Sequence, residues 1–217
     1  MTKQFSVAVL TFLSVCLLAC DNPADSTYST QAAAPKKETP KQAPQDAKTI
    51  ELSGDNTTLE WTGSKPTGSS HDGGFKTLAG SATMTDEALI SMEATIQISS
   101  MWSDNDRLTK HLLNNDFFES ETYPESRFVS TEIREAAEAE RTGPAADATH
   151  WVTGNFTLKG VTKSIGFPAT VEADDTAYRF NAVFNIDRSQ FGMDYGVADA
   201  AIRDEVVIRL KIELPRS

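Results

Sequence analysis

Cysteine is nearly absent from this 217-residue chain: it has two, Cys16 and Cys20, both within the first twenty residues. Everything beyond Cys20 is without a thiol, which excludes a disulfide scaffold, a cysteine metal site and a cysteine nucleophile there, and leaves packing as the source of stability. Histidine is scarce as well. His71, His111 and His150 stand alone, with no second ligand at zinc spacing, so no metal site is expected. Basic residues are outnumbered, 20 against 31 acidic, and residues 49 to 217 alone carry 15 against 27, a net charge of −12. Such a surface repels nucleic acid and anionic headgroups. No apolar run reaches the roughly 20 residues of a membrane-spanning helix.

The longest such run, "FSVAVLTFLSVCLL" from Phe5 to Leu18, follows Lys3 and leads into "LLAC" at 17 to 20. Charge, short apolar run and small residue before a cysteine are the parts of a secretory signal, expected over residues 1–19. "LLAC" also resembles the bacterial lipoprotein signal, which makes Cys20 the lipidation site and the membrane a partner through its acyl chains. Asp21 directly after Cys20 resembles an inner-membrane retention signal, so the expected place is the periplasmic side of the inner membrane. Residues 20–48 contain four prolines, one aromatic and balanced charge. They read as the acylated cysteine and a disordered, semi-extended spacer.

Residues 49–217 are long enough for one domain with a sizeable core. Their pattern is period two. In "SMEATIQI", Met92, Ala94, Ile96 and Ile98 alternate with polar residues; Val152, Gly154, Phe156 and Leu158 do so in "WVTGNFTL", and Tyr178, Phe180, Ala182, Phe184 and Ile186 in "YRFNAVFNID". The last strand sets Val206, Ile208, Leu210, Ile212 and Leu214 on one face. Several such strands without helical repeats predict an all-β fold, an antiparallel sheet closed as a barrel or folded as a sandwich. "SDNDRLTKHLL" is the helical exception, expected near residues 104–114, with Ser103 or Asp104 as cap and Leu108, His111 and Leu112 on one face. Phe117 and Phe118 follow it, as a plug over one barrel end, either sealing a solid core or roofing a cavity. "STEIREAAEAERTGPAAD" is ambiguous between strand end and loop.

"HLLNNDFFESETYPESRF" at 111 to 128 resembles the signature of the YceI-like proteins, and "GSKPTGSSHDGGF", "SSMWSDNDRL", "GNFTLKGVTKSIGF", "NIDRSQFGM" and "DEVVIRLKIEL" match the same family in order. The resemblance implies an extended, lipocalin-like antiparallel β-barrel that binds a long-chain polyisoprenoid or isoprenoid quinone without catalysis, as carrier, sensor or scavenger. It implies no metal and no other cofactor. The expected cavity wall comprises Phe75, Ile96, Ile98, Leu112, Phe117 and Phe118, together with Phe128, Phe156, Phe167, Phe180, Phe184 and Phe191. His71 is the candidate for a headgroup at the mouth. A second copy of the chain, as a homodimer, stays among the open partners. Glu119 departs from the aspartate frequent in the family.

Other chemistry fails on spacing. "DNDRLTKHLLNN" lacks the glycine and the final glutamate of a calcium loop, and Ser69 occupies the lysine position of a phosphate loop. No serine has a nucleophile context. Arg188 is expected to pair with Asp187 or Asp194 outside the barrel.

Overall fold

In the computed structural model the described residues are 22–38, 43–85, 88–194 and 196–216. The expected signal segment, residues 1–19, and Cys20 lie outside them. Among the described residues the alternating runs form eleven antiparallel strands: β1 (Lys48–Ser53), β2 (Thr57–Ser64), β3 (Ser70–Phe75), β4 (Leu78–Met84), β5 (Leu89–Gln97), β6 (Met101–Ser103), β7 (Glu125–Glu135), β8 (His150–Leu158), β9 (Val161–Ala173), β10 (Ala177–Asp187) and β11 (Glu205–Pro215). They make one curled sheet in the order β1-β4-β5-β7-β8-β9-β10-β11-β2-β3-β6. The all-β antiparallel architecture expected from the period, in the lipocalin-like form that the resemblance implies, is therefore the architecture found.

Curling a sheet requires each strand to keep one set of side chains inward. Phe184 opposite Ile208, and Ile208 opposite Trp61, carry the inner face from β10 across β11 to β2. Phe128 opposite Phe156 carries it from β7 to β8. β7 preserves this only by a bulge: its register against β8 shifts between Ser130 and Glu132. The extra residue reverses the parity, so that Ile133, opposite Val152, faces inward like Phe128. Gly154 serves the same wall. A Cβ there would lie 2.3 Å from Cζ of Phe128, so only glycine lets that ring lie across β8.

The helix α1 (Asp106–Leu112) is too short to persist alone and is held by its packing. Its cap is Asn105 rather than Ser103 or Asp104; the Asn105 Oδ1 accepts from the N–H groups of Arg107 and Leu108 at 3.0 and 3.2 Å. The ambiguous run after β7 is an ordered loop. Arg134 grips Glu140 with both terminal nitrogens, at 2.8 and 2.6 Å, over a small cluster of Ala136, Ala145 and Ala148.

The expectation of a free spacer needs correction for residues 22–38, which pack on the barrel. β10 pairs with β9 only over Tyr178–Asn181, while the rest of β9 bonds β8 on its other side. The two strands therefore part towards one end. The N-terminal segment occupies the opening: Ser29 bridges Asn185 of β10 and Ala33 bridges Ser164 of β9. The Asn185 Nδ2 donates to the carbonyl of Ala24 at 2.9 Å, and the Asn155 Nδ2 to that of Lys36 at 2.7 Å. Tyr28 meets the Trp151 ring edge-on at 5.2 Å. Low apolar content forbids an independent core, but this segment needs none, because unpaired backbone of a splayed sheet supplies its partners.

Candidate functional site

The curled sheet encloses a cavity of about 360 Å³, within the size range of small-molecule sites. Its walls are the inward residues of β2, β5, β7, β8, β9, β10 and β11, with Leu52 of β1 and Leu78 of β4. One end is shut, since Tyr178, Phe180, Met84 and Leu214 fill the interior there around a separate void of about 20 Å³. The other end is the mouth, where the β2–β3 hairpin, α1 and the loop from Arg188 to Asp204 meet.

Leu108, His111 and Leu112 of α1 all line the cavity, as their shared face predicts. The chain then folds back: the N–H of Phe118 bonds the carbonyl of Leu112 at 3.0 Å, and Glu119 takes a φ of 50°. That turn drops Phe117 and Phe118 onto the cavity, 6.1 Å apart between ring centres, with Phe118 edge-on to Phe75 at 6.3 Å. Both rings roof a space and do not merely complete a solid core. Glu119 lies in the left-handed region that asparagine and aspartate tolerate better than most side chains.

Phe75, Ile96, Ile98, Leu112, Phe117, Phe118, Phe128, Phe156, Phe167, Phe184 and His71 are all on the cavity wall. Phe180 and Phe191 require correction. Phe180 is inward but stands at the shut end. Phe191 belongs to the short turn after β10 and packs edge-on against Phe156 at 5.3 Å, 1% exposed. Pattern reasoning missed Trp61, Leu59, Ile165 and Met193 of the lining. The residue on β11 that faces a β2 position could have found the first two, given the register.

Charged and titratable side chains of the lining, Lys65, His71, His111, Arg188 and Arg203, gather at the mouth; Glu60 is on the outer register of β2. His71 is held by Asp104, Nδ1 to Oδ1 2.9 Å. Arg188 is not paired outside the barrel with Asp187 or Asp194. It is 2% exposed, and its Nη2 lies 2.7 Å from Asp199 and 2.9 Å from Asp204. Its Nε donates to the carbonyl of Arg203 at 3.1 Å, and its guanidinium stands 5.9 Å from the Phe117 ring centre. One buried cation thus ties the mouth loop to the plug, with its charge paired as burial requires. Burial pushes the Asp204 carboxyl up, aided by Asp187, Asp199 and Glu205, while Arg188 pulls it down. Among the described residues no three metal-ligating side chains cluster.

A curled antiparallel sheet with an apolar interior and a polar mouth defines a lipocalin-like barrel with room for one internal ligand. The YceI-like domain model matches residues 51–214, and the chain belongs to that family. Relatives include a UPF0312 protein of Pseudomonas putida strain W619, 33% identical over 104 residues, covering 45% of this chain and 50% of that one. A UPF0312 protein of Photorhabdus laumondii is 36% identical over 95 residues, 43% of this chain and 44% of its own length. The chain thus spans about half the length of the relatives it matches. Among solved structures, BcnA of Burkholderia cenocepacia superimposes with a TM-score of 0.63 at 22% identity, covering 73% of this chain and 96% of its own. A polyisoprenoid binding domain from Saccharophagus degradans, implicated in plant cell wall breakdown, does so with a TM-score of 0.58 at 15% identity, over 78% and 98%.

Proposed function

We propose that the barrel binds the tail of an isoprenoid lipid, a polyprenyl chain or an isoprenoid quinone, non-covalently, at the periplasmic face of a bacterial membrane to which acylated Cys20 anchors it. The observation that carries this reading is the apolar cavity with its charged side chains gathered at one end, in a chain of the YceI-like family. The naming of a structural neighbour as polyisoprenoid binding supports the ligand class. The energetics are favourable. Each methylene-sized group removed from water is worth about 0.8 kcal/mol, roughly 4 kcal/mol per isoprene unit, so about three to five units supply micromolar binding after the cost of association. The mouth residues Lys65, His71 and Arg203 would meet whatever polar group ends the tail, and the walls would hold the rest.

The test is native mass spectrometry of the chain from Asp21 onward made in a bacterial host, followed by organic extraction. A stoichiometric isoprenoid is the expected result. A bare protein that also takes up no added polyprenol or quinone would overturn the reading.

A further inference from the structure

The contacts of residues 22–38 have a direction. The segment starts at the mouth, where Asn22, 5% exposed, lies with its Oδ1 3.1 Å from the Ser64 hydroxyl. Three residues on, the Asp25 carboxylate pairs with the Arg203 Nη2 at 2.8 Å. Ser64 and Arg203 both line the cavity at its mouth. From there the chain crosses the opening between β10 and β9, parallel to β10 at Ser29 and antiparallel to β9 at Ala33, and its later end lies on the barrel flank, where Glu38 meets Arg127 near the start of β7.

We infer that this segment is an orienting clamp, which fixes the lipid anchor beside the mouth so that the cavity opens onto the bilayer surface. The orientation rests on the anchored reading proposed above. Cys20 is two residues from Asn22, at most ~7 Å of extended chain, so with both side chains added the acylated sulfur and the Ser64 hydroxyl are kept within roughly 16 Å. A free spacer of the length expected from the sequence would wander over roughly 30 Å and leave the barrel without a preferred face. The difference matters for a tail that water rejects. Each five-carbon isoprene unit that crosses water costs roughly 4 kcal/mol, whereas a mouth laid on the bilayer lets the tail slide from lipid to cavity. The partner of the mouth is therefore a lipid surface, with Lys65 and Pro66 of the β2–β3 hairpin at the contact and the β9–β10 turn at Asp174 and Asp175 pointing away.

The test uses the full acylated chain in vesicles of phosphatidylethanolamine and phosphatidylglycerol, with a fluorescent amino acid at Thr67 or at Asp175 and doxyl lipids as quencher. Emission from position 67 should fall and that from position 175 should not. In a chain whose residues 22–38 are replaced by glycine and serine in equal number, the two positions should quench alike; Asn22→Ala with Asn185→Ala is the milder version should that replacement fail to fold, as read by circular dichroism. Equal quenching in the unaltered chain, or asymmetry that survives the replacement, overturns the clamp. Mass spectrometry of the same preparation reads Cys20 directly, and an unacylated Cys20 refutes the anchor itself and the orientation with it.

Discussion

Ala94→Leu separates a ligand cavity from a loosely packed core. Ala94 is inward on β5, between Gly80 of β4 and Phe128 of β7, and lines the cavity with no bulk of its own. Leucine adds three carbons into the empty space. Burying them is worth about 2.4 kcal/mol, less the roughly 0.5–1 kcal/mol of side-chain freedom lost, so the folded state should gain about 1–2 kcal/mol. The same three carbons displace an equal number from a bound tail, weakening it by about 2.4 kcal/mol, or roughly 50-fold. Stability and affinity thus move in opposite directions. Urea unfolding of the ligand-free protein gives the first quantity, and titration with geranylgeraniol followed by intrinsic fluorescence the second. A loss of stability beyond about 1 kcal/mol would mean that the space does not exist. Unchanged affinity in a normally folded variant would mean that the tail binds elsewhere.

Four other outcomes are expected. Phe118→Ala should cut isoprenoid affinity at least tenfold with modest loss of stability, whereas Phe180→Ala, at the shut end, should cost about 3–5 kcal/mol of stability and leave affinity nearly unchanged; paired titrations and melts compare them. Asn185→Ala removes the donor to the carbonyls of Ala24 and Thr27, so hydrogen exchange over residues 22–33 should accelerate at a stability cost of about 1–3 kcal/mol. Glu119→Gly should stabilise the plug by about 1 kcal/mol, since the φ of 50° is free to glycine, with Tm as readout. His150 is held below its ordinary value of 6.5 mainly by burial, with Arg141 also lowering it and Glu135 opposing. As pH falls below 6.5 the unfolded chain therefore takes up the proton first and stability drops; His150→Gln should flatten that loss in urea midpoints measured between pH 7.5 and 5.5.

Where the sequence was legible, one physical rule was at work. β5, β8, β10 and β11 are half-buried strands without interruption, and strict alternation betrays them. β7 was legible only in its first half, "ESRFVST", because the bulge after Ser130 reverses the alternation and leaves the run that follows ambiguous between strand end and loop. The cavity wall was legible as a set of inward residues, yet nothing in a period distinguishes Phe184, which faces empty space, from Phe180, whose interior is filled from other strands. Arg188 was misplaced because its partners, Asp199 and Asp204, are brought in by the closure of a loop and not by neighbourhood in the chain. The N-terminal segment was hidden for a different reason. Some of its partners are backbone groups of β9 and β10, which carry no residue-type signature, and its side-chain partners, Asn155, Asn185 and Arg203, lie more than a hundred positions along the chain.

That opening between β9 and β10 bears on where the folded unit begins. The family match starts at residue 51, but a protein trimmed there would leave the Ser164 and Asn185 main chain bare along an exposed strand margin. Unsatisfied strand margins recruit one another, so the shortened protein would tend to self-associate through this seam while the longer one stays apart. Residues 22–38, which sequence similarity discards, are in this sense the molecule's own guard against aggregation.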